Sequence, residues 1–148
     1  MMIKGDMDAY FIGLDDPDLF KKVKNAPELS YDFSFGDMYE LTFNPVGPTF
    51  PKTGELNPFS NKRIREAMNY VIDRDYVVNN IMGGLAIPKF TPLTEKMPEG
   101  QRYSDEIKKI AEKYSYNFEK GREIIESELR KMGAELVGGS GTSRAIRL

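Results

Sequence analysis

Ser60-Asn61-Lys62-Arg63-Ile64-Arg65-Glu66-Ala67-Met68-Asn69-Tyr70-Val71-Ile72-Asp73-Arg74-Asp75-Tyr76-Val77-Val78-Asn79-Asn80-Ile81 is the stretch on which the reading of this chain turns. Ile64, Ala67, Met68, Val71 and Ile72 recur at the spacing of one helix face, while Lys62, Arg63 and Glu66 face water. This spacing predicts a helix with a buried stripe. Asp73 then interrupts the pattern and admits two readings. It could be a functional carboxylate; the simpler account makes it the N-cap of a second helix, accepting backbone N–H bonds near Asp75 and Tyr76. That second helix should bury Tyr76, Val77 and Ile81 and stop at Gly83-Gly84, one of which suits a left-handed C-cap.

Upstream, Asp8-Ala9-Tyr10-Phe11-Ile12-Gly13 is a short apolar run that reads as a buried strand. Asp16-Pro17 opens a helix through about Asn25, with Asp16 as N-cap and Pro17 at the first helical position. The acids Asp15, Asp16 and Asp18 lack the spacing and closing glutamate of a calcium loop, so capping is the better reading. Leu29, Tyr31, Phe33 and Phe35 alternate with Ser30, Asp32 and Ser34. After Gly36-Asp37, Tyr39, Leu41 and Phe43 alternate with Glu40, Thr42 and Asn44. Two period-two runs around a Gly-X pair predict a β-hairpin with a type II′ turn. Its aromatic face suits a core, with ligand stacking as the other use. Pro45 to Pro58, with four prolines and two glycines, reads as an irregular surface loop.

Downstream, Leu85 to Gln101 is a second proline-bearing connection. Ser104–Tyr114 reads as a short helix with Ile107, Ile110 and Ala111 on one side. Asn117 should cap a longer helix that turns Phe118, Ile124, Ile125, Leu129 and Met132 inward and ends at Gly133. Its acids Glu123, Glu126 and Glu128 sit within four residues of Lys120, Arg122, Arg130 and Lys131, the pattern of a solvated face. Ala134–Val137 suits a closing strand, and the glycine- and serine-bearing residues 138–148 read as a flexible tail. The expected fold is therefore mixed α/β: a small sheet containing the 29–44 hairpin, packed by three or four helices.

Composition narrows the function. The chain has 148 residues, one ordinary domain, with a globular apolar fraction of 40% and charged fraction of 30%. A net charge of −2 with interspersed signs offers no basic face for nucleic acid. With no cysteine, disulfides and thiolate zinc sites are excluded. The absence of histidine removes the usual triad base and the commonest metal ligand, so no metal site and no cofactor are expected and an enzyme is disfavoured. Rich in lysine and glutamate and free of cysteine, the composition would suit a thermophile. No apolar run reaches the ~18 residues of a membrane span. Met1-Met2-Ile3-Lys4-Gly5-Asp6-Met7 does not read as a signal peptide, so the chain as written would stay in the cytoplasm.

Four segments, in order, resemble one family. Tyr39–Asn44 is similar to its strand ending in Phe-Asn. Pro58-Phe59-Ser60-Asn61 through Ile64-Arg65-Glu66-Ala67 and Val71-Ile72-Asp73-Arg74 resembles its signature, followed by Gly84, Ala86, Pro88 and Pro92. Asn117-Phe118-Glu119-Lys120-Gly121-Arg122 through Lys131-Met132-Gly133 resembles the helix after it, and Gly5-Asp6-Met7-Asp8 the segment before the first strand. On these residues the chain looks like part of an extracellular solute-binding protein of family 5, the oligopeptide- and dipeptide-binding proteins of ABC importers. The resemblance covers about residues 3–137 and implies one partial lobe of a periplasmic-binding-protein-like fold, noncatalytic, with the tail from Gly138 outside it.

Family members are much longer, begin with a leader and are extracellular or periplasmic and membrane-anchored. A truncated or frameshifted gene is therefore one expectation for this chain. The resemblance further implies a peptide ligand and an ABC permease as partners of the intact protein. A single lobe holds half a site, so weak or no peptide binding is expected from it alone. Asn44, then Tyr39, are the residues expected to face the ligand, and Arg65, Asp73, Arg74 and Gly84 carry the structural motif. The other reading is a stand-alone interaction domain that forms a homo-oligomer through exposed lobe surfaces.

Overall fold

The structure, a computed structural model, describes residues 4–34, 37–137 and 145–147. Among the described residues six α-helices follow in chain order: α1 (Pro17–Lys24), α2 (Lys62–Val71), α3 (Arg74–Tyr76), α4 (Pro98–Arg102), α5 (Ser104–Lys113) and α6 (Phe118–Lys131). The chain divides into two compact units. One comprises Met1–Tyr39 with Arg74–Lys109, the other Glu40–Asp73 with Ile110–Leu148.

The second unit is built on the α2–α6 pair. Asn61 caps α2, its side chain accepting the Arg63 amide at 2.8 Å. Along α2, Ile64, Ala67 and Tyr70 are buried, three residues apart, and Met68, Val71 and Ile72 are half-buried. From α6, Leu129 packs with Ile64 and Ala134 into a core flanked by Leu56, Phe59, Ile125 and Met132. Burying a side chain such as Ile64 or Leu129 stabilises the fold by about 1.5–3 kcal/mol. At Gly121 the two helices lie close together: a Cβ there would stand 2.6 Å from Val71 Cγ1 and 3.2 Å from the Ala67 carbonyl oxygen. Asn117 caps α6 as expected, accepting the Lys120 amide at 3.0 Å, and its own N–H donates to the Tyr70 carbonyl at 2.9 Å. At the other end Gly133 takes φ +82°, and the Ala134 amide turns back to the Leu129 carbonyl at 3.0 Å.

In the first unit Asp16 caps α1 with one carboxylate oxygen, which accepts the Asp18 and Leu19 amides at 2.8 and 3.0 Å. Phe20 is its buried residue. Tyr31 and Phe33 meet the Phe20 ring edge-on, with centroids 5.1 and 5.9 Å away. α3 continues into one π-helical turn, Val77–Ile81, and both Gly83 (φ +58°) and Gly84 (φ +82°) follow in the left-handed region.

Several expectations need correction. Among the described residues the mixed α/β fold, with helices packed on a small sheet that contains the 29–44 hairpin, is not found: their regular structure is mainly helical. Asp8–Gly13 is not a strand, and residues 29–34 and 37–44 form no ladder with each other. Phe35, the end of the first run, and Gly36, the first residue of the expected Gly36-Asp37 turn, lie outside the described residues. Period-two alternation does report sidedness here, because Tyr31 and Phe33 fall on one side and pack on α1. It does not specify a hydrogen-bonding partner, and local side-chain bonds such as Asp32 to the Phe33 amide (2.8 Å) satisfy backbone groups without a ladder. Among the described residues the strand pairing is confined to β1 (Glu135–Val137) and β2 (Ala145–Arg147), antiparallel with Leu136 opposite Ile146. β1 falls where a closing strand was expected. β2 lies within 138–148, of which 138–144 and 148 lie outside the described residues.

Tyr76 and Ile81 are exposed where burial was expected. The π turn accounts for it: Met82 N–H bonds to the Val77 carbonyl, five residues back, which shifts the side chains out of the 3.6-residue phase. Phe118, expected to turn inward, is also exposed. Conversely, Tyr70 is buried without having been expected. Its ring lies 5.7 Å from Tyr114 and under Lys120 Nζ at 4.1 Å. Within the second connection, Pro98 opens the five-residue α4, a helix too short to leave a periodic signal.

Candidate functional site

Asn44 sits at the mouth of the loop between Pro45 and Pro58, and that loop is far from irregular. Thr49 bridges Leu56, the Phe50 amide donates to the Glu55 carbonyl at 2.8 Å, and the Gly54 amide donates back to Phe50 at 2.8 Å. A 3-10 turn, Pro58–Ser60, closes it against α2. Arg65, on α2, donates through one guanidinium nitrogen to the carbonyls of Phe59 (2.6 Å) and Ser60 (3.0 Å), and so ties that turn to the helix. Immediately before the loop the Phe43 ring stacks on Phe59 with centroids 4.4 Å apart. Asn44 itself is exposed, with Oδ1 accepting the Val46 amide at 3.1 Å.

Tyr39 is 87% exposed. It ends the first segment of its unit, whereas Asn44 belongs to the other unit. The remaining motif residues have structural surroundings. Arg74 begins α3 with its guanidinium 4.5 Å from the Phe90 centroid, and burial draws its pKa down. Asp73 directly precedes α3, the position of a cap, and Gly84 holds the left-handed conformation expected after it.

Sequence reasoning missed Asn57. It is fully buried, its Nδ2 donates to the carbonyls of Asn44 and Val46, and its Oδ1 accepts the Phe59 amide. The Asn57-Pro58 pair signals a capped turn, and the Phe59 bond is that cap; nothing local signals the carbonyls eleven and thirteen residues back.

Two carboxylates sit in polar clusters of the second unit. Glu128, nearly buried, accepts Lys131 Nζ at 2.7 Å and Asn61 Nδ2 at 3.0 Å, with Arg63 Nε 3.4 Å away. The Lys131 and Asn61 hydrogen bonds hold its carboxyl below the usual carboxylate range. Glu66 accepts the Tyr114 hydroxyl at 2.6 Å, which lowers its pKa, and Lys113 stands 3.6 Å off. Both link elements through polar contacts with hydroxyl, amide and ammonium groups and are not paired with a second acid. No group of carboxylates suited to a metal ion occurs among the described residues. A shallow surface depression on α1, lined by Asp18, Lys21, Lys22, Asn25 and Ala26, includes none of the candidate residues.

The sequence matches the family described as bacterial extracellular solute-binding proteins, family 5 middle, over residues 1–137. The chain belongs to this family. A comparison with curated proteins finds no match. The family 5 match takes in both units up to β1 and every candidate residue, Tyr39, Asn44 and Asn57 included. Among the described residues of this family 5 chain, no helix is long and apolar enough to cross a membrane.

Proposed function

We propose that this family 5 domain contributes one wall of the oligopeptide site in the substrate-binding protein of an ABC importer, without catalysis. The match over residues 1–137 carries the reading. Asn44 and Tyr39 are the residues assigned to the ligand. Asn44 suits the role because its backbone is held on a structured loop and its carboxamide can pair with a peptide group. Tyr39, 87% exposed, offers a rigid ring and a hydroxyl at low entropic cost. A single wall leaves a peptide half solvated, so the expected affinity is millimolar or weaker, about −4 kcal/mol or less favourable. In the intact protein the partner would be an ABC permease.

The test is an amide NMR titration of the full chain with trialanine, with maltotriose as a non-peptide control. Shifts at Asn44 and Tyr39 with trialanine alone, weakened in Asn44→Ala, are the expected outcome. Equal shifts with both solutes, or shifts confined to other residues, would remove the peptide assignment.

A second reading, a self-associating interaction domain, has an observation of its own: Phe11, Ile12, Tyr39 and Leu41 are 95, 72, 87 and 60% exposed. Sedimentation velocity across a concentration series decides it, since self-association makes the weight-average mass climb with concentration.

A further inference from the structure

Asn57 ties three stretches of backbone together from a position with no solvent exposure. Both Nδ2 hydrogens are committed, to the carbonyls of Asn44 and Val46 at 2.9 Å each. Oδ1 accepts the Phe59 amide at 3.1 Å. The main chain adds an N–H bond to the Pro48 carbonyl at 2.7 Å, and its carbonyl accepts the Ser60 amide and hydroxyl at 3.1 and 2.8 Å. No other side chain bonds the 44–48 backbone from so far along the chain among the described contacts. Only a carboxamide meets the requirement: two donors must face two carbonyl oxygens while an acceptor faces an amide. An aspartate would set a carboxylate against both carbonyls and leave them unpaired in a buried place.

We propose that Asn57 is the positioning residue for Asn44. Its carboxamide fixes the 44–48 backbone, and with it the place from which Asn44 meets a ligand. The ligand half rests on the proposed function; the positioning half does not. Leu56 and Phe59 anchor the end of the loop on the α2–α6 core, but the backbone bonds within 48–57 are made apart from it, so the loop amides are expected to open ahead of the helical pair.

The experiment compares the full chain with Asn57→Asp by amide hydrogen exchange, with trialanine as the probe in a parallel titration. Phe50 and Gly54, bonded to Glu55 and Phe50, report the loop; Leu129 and Ala134 report the helical pair. In Asn57→Asp the loop amides are expected to lose protection about tenfold or more while the helical amides change by about threefold or less. The trialanine-induced shift at Asn44 is then expected to vanish. Loop amides that keep their protection, or loop and helix amides that fall by one common factor, would overturn the proposal. Should Asn57→Asp fail to fold, exchange of the unmodified chain in increasing denaturant decides instead. Loop amides must open with a smaller denaturant dependence than the α2–α6 amides, and a single shared opening would overturn the proposal. If trialanine shifts nothing in the unmodified chain, the proposed function fails while the exchange result still decides the positioning.

Discussion

Glu128 carries its charge at the α2–α6 contact, bonded to Lys131 and Asn61 and facing Arg63, and these partners favour the ionised form. A carboxyl whose folded pKa lies below its unfolded value adds stability above the unfolded pKa and loses it as pH falls through the folded one. Acidifying from about pH 5 to about pH 3 should therefore lower the thermal midpoint more steeply in the native chain than in Glu128→Gln. Parallel midpoint curves would show that Glu128 is not the group responsible; Glu66, also lowered, is common to both proteins. Tyr114→Phe removes the hydroxyl that donates to Glu66. In this half-exposed setting it should cost about 0.5–1 kcal/mol in urea unfolding. Residues whose partners are near in sequence were legible in advance. Asp16 and Asn117 bond amides two or three positions on, and both were readable as caps. Asn57 was not, since its decisive bonds span eleven and thirteen residues of a loop with no period.

The α2–α6 pair is the element-scale determinant of the second unit, and Gly121 sets its spacing. Alanine favours a helix over glycine by about 0.8–1 kcal/mol, so an exposed Gly121→Ala would stabilise. Here the new methyl meets Val71 Cγ1 at 2.6 Å and Tyr70 Cβ at 3.0 Å, and overpacking costs about 1–3 kcal/mol. Gly121→Ala should therefore be destabilising by about 1 kcal/mol, and Val71→Ala added to it should recover part of the loss. A more stable single variant would mean that the helices separate freely. The helical stripe of α2 could be read because 3.6-residue periodicity reports the buried face directly. The segments 29–34 and 37–44 misled because alternation marks which side is apolar and says nothing of which backbone lies alongside. Where α3 passes into a π turn, the assumed period itself fails, and Tyr76 and Ile81 were misplaced with it.

At the scale of the whole molecule the ordered motifs from Gly5-Asp6 to Gly133 pointed to the family that the match over residues 1–137 shows, although the described residues do not form the sheet expected with it. Motif order survives in sequence because each piece keeps its local cap, turn and stripe, whereas the layered fold depends on pairings between distant segments. Exposed Phe11, Ile12 and Tyr39 predict that sedimentation velocity finds a weight-average mass rising with concentration, and lower in Phe11→Ser/Ile12→Ser. A mass constant at that of one chain would remove the self-association reading. The most direct measurement is photocrosslinking of the full chain with a tripeptide carrying a benzophenone side chain, mapped by mass spectrometry. The account predicts adducts at Tyr39 and within 43–46 that excess trialanine suppresses. Adducts elsewhere, or adducts that trialanine leaves untouched, would contradict it.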